Sequence, residues 1–217
     1  MIDKKKAMSF VRDYMYKHEG SGKNDNKFWR TNAKNRFEHT KRVFKYAKML
    51  SHFIKDETFS TEVVEIAAIF HDVATFSSEN HEHSAVSAKV AREYLQNESL
   101  DNEFIDKVCN SIANHSKKTT DEKVIATLAL EDKVLIDADI VDETGIASVI
   151  WVAMKQGKEE LCYEKFIKKL DERYFTGYDE LINYVHTKKA KEILIKNKML
   201  VKGIVHTLEI EIRGDII

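Results

Sequence analysis

The sequence predicts an all-α protein, a single-domain helical bundle spanning its 217 residues. Three observations lead there. Proline is absent and glycine occurs only seven times, so the residues that most readily interrupt helices are scarce. Apolar residues recur at three- and four-residue spacings along most of the chain. Hydrophobic content of 43% beside 33% charged residues describes an ordinary globular chain, long enough to bury one sizeable core.

Residues 2 to 17 form the first expected helix, with Ala7, Phe10, Val11 and Tyr14 at helical spacing. The polar, turn-rich stretch HEGSGKNDNKFWRTNAKN is the expected long loop. A second helix is expected over residues 36 to 55. A third covers 61 to 72, with Ser60 or Thr61 as N-cap and Glu62 and Glu65 placing negative charge in the first turn. VATFSSENHE reads as a loop. Helices then cover 84 to 97, 102 to 115 and 120 to about 142, and Gly145 precedes another that runs through Lys155. From Lys158 onward two or three more follow, with lysine-rich outer faces. IVHTLEIEI alternates as a strand does, but a lone strand has nothing to pair with, so it is assigned to helix. There is no internal repeat, low-complexity stretch or interdomain linker.

A formal net charge of −1 gives no basis for broad binding to nucleic-acid polymers or to membranes. The longest apolar run, residues 146 to 154 interrupted by Ser148, falls far short of the ~20 residues that span a bilayer. The amino terminus has lysines with no long apolar stretch behind them, so the expected location is cytoplasmic. Cys109 and Cys162 have no nearby cysteine and are expected as buried, reduced thiols.

Metal-capable groups recur on apolar faces. His39 shares its face with Val43, Tyr46 and Leu50. His71 and Asp72 close the helix whose inward stripe contains Val64, Ala67 and Ala68. A carboxylate buried there without a partner costs several kcal/mol, and its charge sits at the wrong end for the helix dipole. His115 closes the helix with the stripe Phe104, Val108 and Ile112. In LIDADIVDETG, Asp139 and Asp142 lie one turn apart on the face of Leu135 and Ile146. Asp137 lies about 200° around from Asp139 at ~100° per residue, and is expected to face solvent or to cap another element. Two histidines and two aspartates around one metal would remove the burial cost together. Hydrogen-bonded core histidines and a helix end reaching water are the alternative.

His39, the His71–Asp72 pair and Asp139 resemble the H…HD…D signature of the HD-domain superfamily of metal-dependent phosphohydrolases. RFEHTKRVFKYAKML, EIAAIFHDV, HSAVSAKVAREYL, SIANHS and DADIVDETGIA stand in the order found in its bacterial stand-alone members, over about residues 36 to 154. The resemblance implies a helical bundle of the HD-domain type with a central metal site, the HD core over 36 to 154 and a C-terminal helical extension over 158 to 217. It implies His39, His71, Asp72 and Asp139 as metal ligands, with Asp137 the competing choice for the last. His83 and His115 match positions where some members carry extra histidines. There they bind a second metal or contact the substrate phosphate; support of the other ligands is the third option.

The implied activity is hydrolysis of a phosphomonoester or phosphoanhydride in a small molecule, most naturally a nucleotide. Asp72 would join metal and water, while His83 or His115 would protonate the leaving oxygen or hold a phosphate oxygen. Histidine plus carboxylate ligation suits Mn, Fe, Co, Ni or Zn, with Mg possible. Lys117, Lys118 and Lys133 are candidate phosphate-binding cations; Phe28, Trp29 and Trp151 are candidates for stacking on a base. Ala74 stands where many relatives have glycine. The Gly-Tyr-Pro motif of the cyclic-di-GMP phosphodiesterases is absent, and Thr75, Phe76 and Ser77 occupy the stretch where some deoxynucleotide monophosphatases have an acidic residue. Three rival readings stand beside this one: an HD-type di-iron oxygenase, a non-catalytic nucleotide-binding or regulatory HD module, and a metal-free helical interaction protein. Oligomeric state stays open.

Overall fold

In the computed structural model the described residues are 2–20, 32–79, 82–156, 162–172 and 177–214; they carry eleven helices and no strand. The chain falls into two compact units, Met1–Asp139 and Ile140–Ile217.

The first unit is built around one buried helix. α1 (Lys4–His18) starts from Asp3, whose carboxylate accepts from the Lys5 and Lys6 amides, and buries Ala7, Val11 and Met15. α2 (Ala33–Ser51) starts from Asn32, whose side chain caps the Asn35 amide at 3.1 Å. It therefore begins three residues before the expected start. Its end also comes early: His52, Phe53 and Ile54 turn away through bonds to the carbonyls of Met49, Leu50 and Ser51, and Phe53 is exposed.

α3 (Thr61–Phe70) is capped by Ser60, whose Oγ accepts from the Val63 amide at 3.3 Å. Everything from Val63 to Phe70 is buried. This helix packs against α1, α2, α4 (His83–Asn97) and α5 (Asn102–Asn114). Each large apolar side chain it removes from water contributes about 1.5–3 kcal/mol. Its one buried carboxylate, Glu65, is paired with Lys4.

The segment after α3 is a chain of hydrogen-bonded turns rather than a slack loop. The amides of Val73, Thr75 and Ser77 donate to the carbonyls of Phe70, Asp72 and Ala74. Thr75 Oγ1 donates to the Asp72 carbonyl at 2.8 Å, and the Ala74 amide donates to Ser87 Oγ of α4 at 3.1 Å. These bonds fix the backbone on both sides of Asp72.

The helix expected over 120 to 142 is two helices, α6 (Glu122–Thr127) and α7 (Leu130–Asp142), because Leu128 is extended, with ψ 129°. Asp132 explains the restart. Its carboxylate reaches back to the Ala129 amide at 3.1 Å and accepts from Ser111 Oγ at 2.7 Å and Asn114 Nδ2 at 2.8 Å. The first bond is half of a capping box; the other two tie α7 to the last turn of α5.

In the second unit, α8 (Ile146–Gln156), α9 (Tyr163–Asp171) and α10 (Gly177–Asn183) each pack on α11 (Lys188–Arg213). Among the described residues three helices thus follow Lys158, within the expected number. α11 buries Ala190, Leu194, Val201 and Val205 and ends at Gly214, whose φ of 73° is the left-handed cap that favours glycine. IVHTLEIEI lies wholly within it. Tyr178 is fully buried and its hydroxyl donates to the Thr144 carbonyl.

Both cysteines are free thiols. Cys109 is buried, but Cys162 is exposed, contrary to expectation, because it precedes α9 as its N-cap instead of lying within a helix. Among the described residues, no helix is long and apolar enough to cross a membrane.

Candidate metal centre

Five helices contribute side chains where α3 ends. His71 is the C-cap of α3, Asp72 opens the turn after it, and both are fully buried. α2 presents Arg36 and His39 one turn apart, α4 begins at His83, and His115 is the C-cap of α5. α7 supplies Asp139. All lie in the first unit.

The imidazoles of His39, His71, His115 and His83 form a row, with successive ring centroids 5.3, 5.1 and 5.2 Å apart. Asp72 lies against the whole row. Its Oδ2 is 3.5 Å from His39 Nε2 and 3.0 Å from His71 Nε2. Its Oδ1 is 3.5 Å from His83 Nε2 and 3.8 Å from His115 Nε2. His39 and His71 approach Nε2 to Nε2 at 3.2 Å, and His83 and His115 at 3.3 Å. Asp139 Oδ1 completes the first pair, 3.2 Å from His39 Nε2 and 4.0 Å from His71 Nε2.

The backbone sets which ring nitrogen faces inward with a lone pair. His71 Nδ1 lies 2.8 Å from the Ala68 carbonyl, and His115 Nδ1 lies 2.6 Å from the Ile112 carbonyl. A carbonyl oxygen only accepts, so Nδ1 carries the proton and the Nε2 of a neutral ring offers its lone pair. Burial, then the neighbouring His71, holds His115 neutral, its pKa pushed down to about 3.

Both carboxylates are anionic. Burial works against the charge on Asp72, but the Arg36 guanidinium paired with it, and His71, hold it well below the usual carboxylate range. Burial opposes Asp139 too; Lys118, with Nζ 3.0 Å from Oδ2, and His39 outweigh it and lower its pKa well below the usual value. Meanwhile Oδ1 of Asp72 and Oδ1 of Asp139 are buried and accept no hydrogen bond. Inward lone pairs and anionic oxygens converging in a buried space are the donor set of a metal cation. Two triplets have ligand atoms all within 4.8 Å of one another, His39–His71–Asp72 and Asp72–His83–His115. Asp72 belongs to both.

The structure thus brings together His39, His71, Asp72, His83, His115 and Asp139. Asp137 does not face solvent: it is fully buried. The solvent alternative fails because residues 134 to 142 of α7 are buried on every side, leaving no wet face. Ile146 does not continue the Asp139 face, since α7 ends at Asp142 and Ile146, in α8, is 46% exposed. Of the candidate cations, Lys118 reaches the site and Lys117 is exposed. Phe28 and Trp29 lie outside the described residues, and Trp151 is half-buried on α8. Arg36 went unread as a site residue, although its position three before His39 puts both on one face. Ser116, with Oγ 3.3 Å from the Nε2 atoms of both His83 and His115, carried no signal of its own.

Comparison with known proteins gives a consistent picture. The HD-domain family model matches residues 36–144. An HD-superfamily hydrolase from Bacillus thuringiensis has a similar structure, with a TM-score of 0.69, 22% identity and 95% of each chain covered. Bacillus subtilis YpgQ is similar at a TM-score of 0.64 and 19% identity, covering 96% of this chain and 97% of YpgQ. YpgQ in complex with ADP aligns at a TM-score of 0.61 and 19% identity, covering 95% and 98%. At these identities the likeness is one of fold. No curated protein matches the chain.

Proposed function

The chain belongs to the HD-domain family, and from that premise we propose that it is a metal-dependent hydrolase of a phosphomonoester or phosphoanhydride, most naturally in a nucleotide. One observation carries the reading: His39, His71 and Asp72 turn ligand atoms onto one buried point, with Asp139 Oδ1 3.2 Å from His39. These four residues would hold a divalent ion, and the set suits Mn, Fe, Co, Ni or Zn, with Mg possible. When bound, such an ion lowers the pKa of a water and polarises a phosphoryl oxygen.

The chain's own groups do the rest. Asp72, anionic and paired with Arg36, would help accept a proton from the attacking water. His115 has its proton on Nδ1, committed to the Ile112 carbonyl, so its Nε2 accepts rather than donates. That leaves His83 to protonate the leaving oxygen; its side chain is 12% exposed and Ser116 Oγ lies 3.3 Å from its Nε2. The structural likeness to YpgQ, whose complex holds ADP, supports a nucleotide substrate.

The test is a phosphatase and pyrophosphatase screen over nucleotides and other phosphate esters with Mn, Co, Ni, Mg and Zn, beside His71→Ala and Asp72→Ala. Phosphate release by the wild type and its loss in both variants is the expected result; equal activity in the variants would sink the reading. The second triplet, Asp72–His83–His115, favours one rival, the di-iron oxygenase. Co-purified iron with oxygen-dependent turnover and no phosphate release would establish it instead.

A further inference from the structure

Building on the phosphohydrolase reading, we infer that Lys118 is the residue that binds the substrate's phosphoryl oxygens, bridging them to Asp139. Lys118 Nζ lies 3.0 Å from Asp139 Oδ2, while Oδ1 of the same carboxylate lies 3.2 Å from His39 Nε2. The ammonium is therefore one carboxylate's width from the converging ligand atoms.

Three features separate Lys118 from the other cations. Arg36 has a side chain only 5% exposed and is committed to Asp72, so it neutralises the interior and cannot reach outward. Lys117, next in sequence, is exposed. The Lys118 side chain is 24% exposed, which sets its charge at the boundary between the buried site and solvent. Its backbone is fixed there: the Lys117 amide donates to the Asn114 carbonyl and the Lys118 amide to the Ser116 carbonyl, each at 2.9 Å. An ammonium has three N–H donors, so an ion pair with Asp139 is compatible with donation to an anion.

The experiment measures binding of inorganic phosphate by calorimetry to the Mn-loaded and Co-loaded protein, in the wild type, Lys118→Met, Lys118→Arg and Lys117→Met, with metal affinity titrated in each. Lys118→Met is expected to weaken phosphate binding roughly 10- to 100-fold, the loss of a charge-assisted hydrogen bond. Lys118→Arg should stay within about tenfold of wild type, keeping the charge but changing its shape, and Lys117→Met should bind as wild type does. Metal affinity should hold or tighten in Lys118→Met, because a positive charge competing for Asp139 is gone. Unchanged phosphate binding in Lys118→Met overturns the assignment. So does loss of the metal in that variant, which would make Lys118 a support for Asp139 alone. A wild type that binds phosphate with neither metal overturns the phosphohydrolase reading together with it.

Discussion

The two ends of the imidazole row differ in how far they stand from water. His39 and His71 have side chains 2% and 0% exposed, backed by Arg36 and the fully buried Asp72. At the other end His115 is nearly as deep, its side chain 3% exposed, but the His83 side chain is 12% exposed. The inner pair sits where α2 and α3 pack together; the outer pair sits at the start of α4 and the end of α5. Depth suits a permanent ligand, since a dry, rigid setting holds a cation with fixed geometry. Partial exposure suits groups that must meet a substrate and exchange protons with it. The division of labour between holding and reacting thus follows from where each helix begins or ends.

The strongest way to break this contrast is Asp72→Ala, because Asp72 faces both pairs. It should lower turnover by more than about 10³-fold. It also breaks the buried Arg36–Asp72 ion pair, costing about 3–5 kcal/mol. Metal analysis and a thermal melt read the two effects separately. Next comes a comparison of His71→Ala with His83→Ala. The former should lose bound metal; the latter should retain it while turnover falls about 10²-fold, the loss of one proton donor. Equal metal loss in both would erase the distinction between the ends.

Acid titration of metal-free protein sharpens the contrast further. The His115 pKa is pushed down to about 3 in the folded chain, against about 6.5 when unfolded. The unfolded state therefore binds more protons between those values, and stability falls as pH falls through that window, by ~1.4 kcal/mol per pH unit. Asp72 and Asp139, held low, add their loss only below the ordinary carboxylate range. Chemical denaturation across pH should show this slope, and His115→Gln should flatten its upper part. The smallest effect belongs to Ser60→Ala, the loss of the cap of α3, at about 1 kcal/mol in a denaturant melt with metal affinity intact.

How much of this was legible depended on whether a helix has a wet side. α1, α2, α4 and α5 have one, so their periodicity located them and put His39 and His115 on inward faces. α7 has none along residues 134 to 142, so Asp137 cannot face solvent there. The break at Leu128 went unread: Asp132 caps the Ala129 amide locally, and its bonds to Ser111 and Asn114, far off in sequence, fix it there. IVHTLEIEI shows the opposite case. Its two-residue alternation is real, but Val201 and Val205 continue the buried stripe of α11 through it, and the helical period prevails.

The enclosure of α3 by four neighbouring helices also governs how the protein breathes. Amide protons of its last turn can exchange with deuterium only when α1, α2, α4 and α5 come apart, so they should be among the slowest in the first unit. A local fluctuation cannot pry this end of the site open from behind. Of the four imidazoles around Asp72, that of His83 has the most exposed side chain.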